Sequence, residues 1–336
     1  TYYMQLTATD RIDVLNIGLM LISCVVAILI PFELFLIVYA FLGPLHYLTE
    51  ISWLHDRNYF TKGKYDAVIL LGVGILLTLK YFGGNLGLVF PNNFDANLMF
   101  IALLSAFVFV TVKNPIYKIG GIIVLVIASQ VGQQFNMFLT TFIPTLIHVY
   151  IFTGLFMLYG AIKSKGRFGL ISVGVLILCP IILFNIYPDT AFYPPTEYSK
   201  GAYDLFKHLN IVWLRIFEGV PRQSTMEAWD SIIYSSKGGI LLMRFIAFAY
   251  TYHYLNWFSK TKVIQWHNIP RWRFALVIAI WVFSVVIYLQ SYKLGLQWLL
   301  FLSFMHVLLE FPLNFISILG IGNHIKGKIF KNATAS

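Results

Sequence analysis

Apolar runs of membrane-crossing length follow one another along most of this chain, and most of the loops between them are short. A helix needs about 20 apolar residues to cross ~30 Å of hydrocarbon. Ten such runs can be read, at 12–30, 33–54, 66–82, 95–112, 118–134, 137–162, 168–187, 238–259, 272–292 and 295–320. The fifth is the weakest, because Gln130, Gln133 and Gln134 make its outer end polar. Composition agrees: 59% of the residues are hydrophobic and 11% charged, against roughly 25% charged in soluble domains. A surface so poor in charge faces lipid. The expected fold is all-α, a polytopic transmembrane helical bundle of about ten spans forming a single transmembrane domain over residues 1–336.

The net charge of +10 does not imply a nucleic-acid partner, because the basic residues sit in alternate short loops. Lys and Arg collect on the cytoplasmic side of membrane proteins. Arg57, Lys62 and Lys64 follow the second run, and Lys113 and Lys118 the fourth. Lys163, Lys165 and Arg167 follow the sixth, and Lys260, Lys262, Arg271 and Arg273 the eighth; Lys326, Lys328 and Lys331 lie in the tail. The opposite loops around 31, 83–94 and 135 hold no Lys or Arg. Ten spans and this alternation put both termini in the cytoplasm. Cys24 and Cys179 both lie inside apolar runs and read as small core residues. The first run is followed at once by another, the pattern of an anchor and not of a cleaved signal.

Residues 188–237 are expected to form a non-cytoplasmic segment. It opens with Pro188, Pro194 and Pro195, a turn-rich stretch. Over Tyr203–Phe217, Asp204, Lys207, His208 and Arg215 share one helical face, while Leu205, Phe206, Leu209, Val212 and Ile216 cover much of the rest. That is the pattern of a helix lying in the membrane interface, either a cap over the bundle or a lipid-access gate.

Ionisable groups at membrane depth are costly, about 2.5–3.5 kcal/mol for a charged side chain on insertion scales. Four histidines fall inside predicted spans, His46, His148, His253 and His306, on the second, sixth, eighth and tenth, all running outside to cytoplasm. His46 with Glu50 (HYLTE) and His306 with Glu310 (HVLLE) are spaced i, i+4; His253 with Asn256 (HYLN) is spaced i, i+3. Each spacing puts both side chains on one helix face. Imidazole suits iron, zinc and copper, and His-plus-Glu sets projecting inward from several helices hold di-iron centres in bundles. Glu50 and Glu310 are either ligands or acceptors for a ligating histidine's second N–H.

Depth divides the four. His46 and His253 lie ~7–8 residues before the cytoplasmic span ends and His148 and His306 ~14, an offset of ~10 Å at the helical rise. A kink at Pro144 would reduce it. If the offset persists, two metal sites or two bis-histidine haems follow instead of one four-histidine site. Elsewhere, Trp53, His55, Asp56 and Arg57 read as an interfacial anchor with an internal salt bridge; Lys80 is expected to snorkel and Arg244 to pair internally. The sequence has no GxxxxGK[ST], GxSxG, CxxC or HExxH, and none of the multi-histidine boxes of membrane desaturases.

In general plan, an apolar multi-span chain of this size with His46, His148, His253 and His306 inside its helices, the sequence resembles the bacterial membrane carotenoid oxygenases of the Brp/Blh type. The resemblance implies an iron held by those histidines and a carotenoid-like substrate. The family's Pro-His-Gly-containing signature is absent; Gly43-Pro44-Leu45-His46 echoes it loosely.

The expectation is therefore a membrane-embedded metalloenzyme, an oxidoreductase of the non-haem iron oxygenase kind acting on a lipid-soluble small molecule. Its transition metal would be held by His46, Glu50, His148, His253, His306 and Glu310. The alternatives are a haem-binding electron-transfer protein, a proton-coupled transporter using the His/Glu pairs, or a subunit of a larger membrane complex. The expected location is a bacterial cytoplasmic (inner) membrane, with membrane lipids as partners.

Overall fold

The computed structural model describes residues 7–83, 87–186, 193–217, 219 and 225–333, of which the side chains of 131–133 and 330–333 are not described. Pro188 and the side chains of Gln133 and Lys331 lie outside the described residues. The described chain is helical almost throughout and contains no strand. Its helices are α1 (Ala8–Leu29), α2 (Pro31–Asp56), α3 (Asp66–Gly83), α4 (Phe94–Thr111), α5 (Pro115–Ala128), α6 (Thr153–Ser164) and α7 (Arg167–Asn185). They continue with α8 (Glu197–Tyr203), α9 (Lys207–Phe217), α10 (Met226–Ser235), α11 (Lys237–Ser259), α12 (Thr261–Ile264), α13 (Arg271–Gln290) and α14 (Tyr292–Ala333).

Among the described residues, eight helices are long and apolar enough to cross a membrane, or nine if α10 and α11, bent by 69° at Ser236, count as one span. This is the helix set of an integral membrane protein. The expected fifth span is shorter than predicted. Asn114 caps α5 by accepting from the Ile116 N–H, and Pro115 opens it, where a missing N–H costs nothing. After Ala128 the chain tightens into a 3₁₀ stretch, Ser129–Phe135, so the polar Gln130 and Gln134 end the apolar helix at 14 residues. The expected amphipathic helix over Tyr203–Phe217 is also shorter: Tyr203 ends α8, a 3₁₀ turn covers Asp204–Phe206, and α9 takes the rest. Side-chain caps fix four more starts: Thr7 makes a capping box with Asp10 at α1, and Thr196, Thr225 and Ser236 cap α8, α10 and α11. Each satisfies helix-start N–H groups that would otherwise lack partners.

The chain divides into two compact units. One comprises residues 1–46, 164–265 and 278–297; the other comprises 47–163, 266–277 and 298–336. In the first, α11 packs against α1, α7, α9 and α10. It is buried on nearly every side, from Ile240 to Trp257. By contrast α1 and α7 leave Ile22, Val25, Ile177 and Ile181 exposed, the apolar face that lipid covers. Tyr252 and Ser259 on α11 both donate to the side-chain oxygen of Asn16, at 3.0 Å each. In the second unit α4 packs against α3 and α5, and the stretch Met305–Asn314 of α14 is buried residue after residue. Ile116, Ile119, Ile123 and Ile127 of α5 are exposed. The best-buried segments of the two units carry His253 and His306 respectively.

Between Phe138 and Phe152 the chain is not α-helical but π-helical, with the wider hydrogen-bonded turn. Pro144 lies inside it, and Thr145 departs from helical geometry at φ −114°, ψ −108°. Proline has no N–H to give and crowds the carbonyl four residues back, so the turn opens and Thr145 turns its hydroxyl to the freed region, donating to Thr141 O. The α form resumes at Thr153. His148 sits in this widened turn. Such π segments recur at functional sites because they re-aim side chains.

Candidate metal centre

All four span histidines are buried, with relative exposures of 1% for His46 and His148, 6% for His253 and 4% for His306. They meet in pairs, and each pair lies within one unit. In the first unit, Nε2 of His253 on α11 is 3.0 Å from Nε2 of His46 on α2. The rings stand nearly perpendicular, with centroids 4.7 Å apart at 81°. Trp257 and Tyr254 wall the His46 ring at 5.5 Å and 5.2 Å. In the second unit, Nε2 of His148 is 3.2 Å from Nε2 of His306 on α14, the rings again crossed at 72°. Tyr47 lies flat on the His306 ring at 4.0 Å. The pairings join residues of equal predicted depth, His46 with His253 and His148 with His306.

The carboxylates are buried as well, Glu50 to 2% exposure and Glu310 to 9%. Glu310 does not serve the histidine one turn before it on its own helix. Its Oε2 lies 3.0 Å from Nδ1 of His148 on the facing segment, close enough for an ion pair although not collinear with the ring N–H. Glu50, one turn after His46 on α2, is within Coulombic reach of Glu310. The sequence pairing of His306 with Glu310 thus becomes a cross-helix triad, Glu310–His148–His306. Asn256, grouped with His253 by spacing, sits instead at a long 3.5 Å from the Tyr252 hydroxyl.

The donor set fits a transition metal. Metal–imidazole bonds run about 2.0–2.1 Å, so two nitrogens on adjacent positions of one ion stand between about 2.9 Å and about 3.4 Å apart, for octahedral and tetrahedral angles respectively. Both pairs fall in that interval with Nε2 facing Nε2. A carboxylate on Nδ1 of His148 is the partner a ligating imidazole usually has, holding its proton on the far nitrogen. Two buried carboxylates and two imidazoles in one unit also match a divalent charge.

Tyr47, Tyr254 and Trp257 were not singled out from sequence. The only signal was the local likeness of HYL at 46–48 and 253–255, each followed by a Trp at 53 or 257. Trp53 in fact lies outside the pair, under the Arg57 guanidinium at 4.3 Å. The anchor's salt bridge runs to Arg273, 2.7 Å from Asp56. Lys80 pairs with Asp95 at 2.7 Å, and Arg244 donates to Ile186 O at 2.8 Å. Cys24 and Cys179 are both buried with free thiols in mutual contact. Compared with known proteins, the chain matches no family model, no curated protein and no solved structure.

Proposed function

We propose that this chain is a membrane-embedded metalloenzyme that binds one or two transition-metal ions at its paired histidines and oxidises a lipid-soluble substrate. The observation that carries the reading is the pair of Nε2–Nε2 separations, 3.0 Å and 3.2 Å, at the spacing of adjacent ligands on one ion. His46 with His253, and His148 with His306, would be the ligands; Glu310 would orient His148, and Glu50 would ligate or balance charge. Iron suits a mixed imidazole–carboxylate set. A bound iron-type ion supplies Lewis acidity and one-electron chemistry toward dioxygen.

The chain's own residues supply the rest. With an ion bound, Glu310 would hold the His148 proton on Nδ1 and leave the Nε2 lone pair for the metal. Tyr47 covers one face of His306, and Trp257 with Tyr254 closes around His46, so bulk water is kept from both pairs. An apolar surround of this kind favours a lipid-soluble substrate over a charged one. Haem axial ligation fits the distances less well: two nitrogens on opposite sides of one iron stand about 4 Å apart, with a macrocycle between them.

The test is elemental analysis with an optical spectrum, on protein purified without chelators. About one or two equivalents of iron per chain, with no Soret band, is the expected result. A metal-free preparation that stays metal-free after anaerobic loading with ferrous ion would overturn the reading. A proton shared between the facing nitrogens would then be the source of their separation.

A further inference from the structure

The wall around His46 continues away from the pair as a file of tyrosines. Tyr254, whose ring stands 5.2 Å from that of His46, has Tyr250 one turn earlier on α11 at 6.4 Å. Tyr39 on α2 lies 6.0 Å from Tyr250. Phe206, in the turn before α9, then bridges Tyr39 at 5.0 Å and Tyr292, the first residue of α14, at 6.1 Å. Each spacing is that of aromatic rings in contact. The hydroxyls converge as well. That of Tyr292 is within Coulombic reach of those of Tyr254, Tyr39 and Tyr198, and that of Tyr250 is within reach of Tyr39. Tyr254, Tyr250, Tyr39 and Tyr292 are buried, whereas Tyr198 on α8 is 68% exposed. All of these residues belong to the first unit. The file therefore runs from the His46/His253 pair to the surface.

Packing alone does not ask for tyrosine here. Phenylalanine fills nearly the same space and buries no hydroxyl, and a buried hydroxyl costs free energy unless it finds a partner. What a phenol adds is one-electron chemistry. It can lose an electron together with its hydroxyl proton and recover both, which a phenyl ring cannot do at the potentials proteins reach. A file of buried phenols, with one end on an imidazole pair and the other at an exposed ring, is placed to pass a radical along.

We infer that Tyr254, Tyr250, Tyr39, Tyr292 and Tyr198 form a radical-transfer path that carries oxidising equivalents from the His46/His253 pair to the protein surface. In the first step a one-electron oxidant at the pair takes an electron and a proton from Tyr254. In each later step the tyrosyl radical takes one electron and one proton from the next phenol. An O–H bond re-forms on the first ring and one breaks on the second, so the radical moves one place outward. A thiol-class reductant in the surrounding water ends the sequence, giving Tyr198 one electron and one proton and becoming a thiyl radical. The use of the path rests on the pair being an oxidising centre: an oxidant produced there from dioxygen in the absence of substrate would leave through the tyrosines and spare the histidines. Its ability to conduct rests on the rings alone and needs no metal.

The experiment therefore uses metal-free, full-length protein in detergent. Tyr198→Cys is labelled with a ruthenium tris-bipyridyl complex; Cys24 and Cys179 are buried, so the label goes to position 198. A laser flash in the presence of an electron-accepting quencher leaves an oxidant where the last ring stood. Tyr254→3-aminotyrosine places the most easily oxidised ring at the far end, as a trap with its own optical and EPR signature. A radical travels the path in either direction, so the trap radical is expected to form after the flash. Tyr292→Phe keeps the ring and removes the phenol through which position 198 meets the others. It is expected to lower the trap yield at least about tenfold, because a transfer that skips a phenol crosses a higher barrier. Tyr288→Phe, whose ring touches Tyr292 at 4.9 Å but lies off the file, should leave the yield unchanged. Should Tyr292→Phe not fold, Tyr39→Phe with Tyr250→Phe interrupts the file further in and is expected to lower the yield likewise. No trap radical with the path intact, an undiminished yield in the interrupted variants, or a loss as large in Tyr288→Phe overturns the inference. Since no metal takes part, such a result leaves the metal centre standing, and a protein that binds no metal leaves the path's conduction standing.

Discussion

Glu310 sets its carboxylate 3.0 Å from Nδ1 of His148, on the side of the ring away from the nitrogen that faces His306. Carboxylate partners of this kind raise ligand basicity and fix ring orientation, and losing one costs about 10–100-fold in metal affinity. Glu310→Gln keeps an acceptor oxygen and removes the charge. The expected outcome is a drop in iron affinity within that range, measured by chelator competition, with little change in thermal midpoint. Unchanged affinity would mean that the carboxylate has no part in binding.

If His148 and His306 hold one ion together, they act as a unit, and groups that act as a unit are not additive. His148→Ala should release the metal of that pair as fully as His148→Ala with His306→Ala. The same is expected of His46→Ala against the double variant with His253→Ala. Metal content per chain, on variants whose unfolding shows them folded, is the readout. A single variant that keeps full occupancy at its pair removes that histidine from the ligand set.

The apolar runs carried nearly all of the helical architecture, because a run that crosses lipid has one backbone solution. The places where the structure departs from them are those where backbone chemistry overrode hydropathy. Pro144 opened a π turn inside the sixth run, and the polar stretch after Ala128 ended the fifth early. The buried histidines stood out for the same reason the spans did, being polar groups where lipid makes them costly. Their depths even divided them into the pairs that form. Glu310 was harder to read. Spacing i, i+4 places it on the face of His306, but which side chain it meets depends on the facing segment, and that segment's aim was set by the π turn around His148. No local pattern carries a cross-helix contact of that kind. Arg244 was visible as a charge in a span, but its acceptor, the Ile186 carbonyl past the end of α7, has no sequence signature.

The Lys118 ammonium on α5 and the Asp66 carboxylate on α3 form a buried ion pair in the second unit, with both residues under 10% exposed. Asp66 also accepts from the Gly63 N–H at 2.8 Å. Removing one member of such a pair strands the other and costs about 3–5 kcal/mol, whereas replacing both by apolar groups of similar size is often close to neutral. Asp66→Leu and Lys118→Met are therefore each expected to lower the apparent thermal midpoint in detergent more than the double variant does. A double variant as unstable as the sum of the singles would show the two charges to be uncoupled.

Lys260, just past the end of α11, has its pKa pushed down by burial to about 8 from an ordinary 10.5, with the Asp13 carboxylate only partly offsetting the effect. In the unfolded chain the amine keeps its proton up to about pH 10.5; in the folded protein it gives the proton up near pH 8. Between these values the unfolded state holds more protons, so stability rises with pH, and the penalty of burying the ammonium is fully present only below about pH 8. Wild-type thermal midpoints should therefore climb, relative to those of Lys260→Met, as pH goes from 8 to 10.5, and the two curves should run parallel below pH 7. Taking the difference between the two proteins at each pH removes the contribution of every other titrating group, tyrosines included. A difference that stays flat across that interval would place the Lys260 ammonium in water and not in the fold.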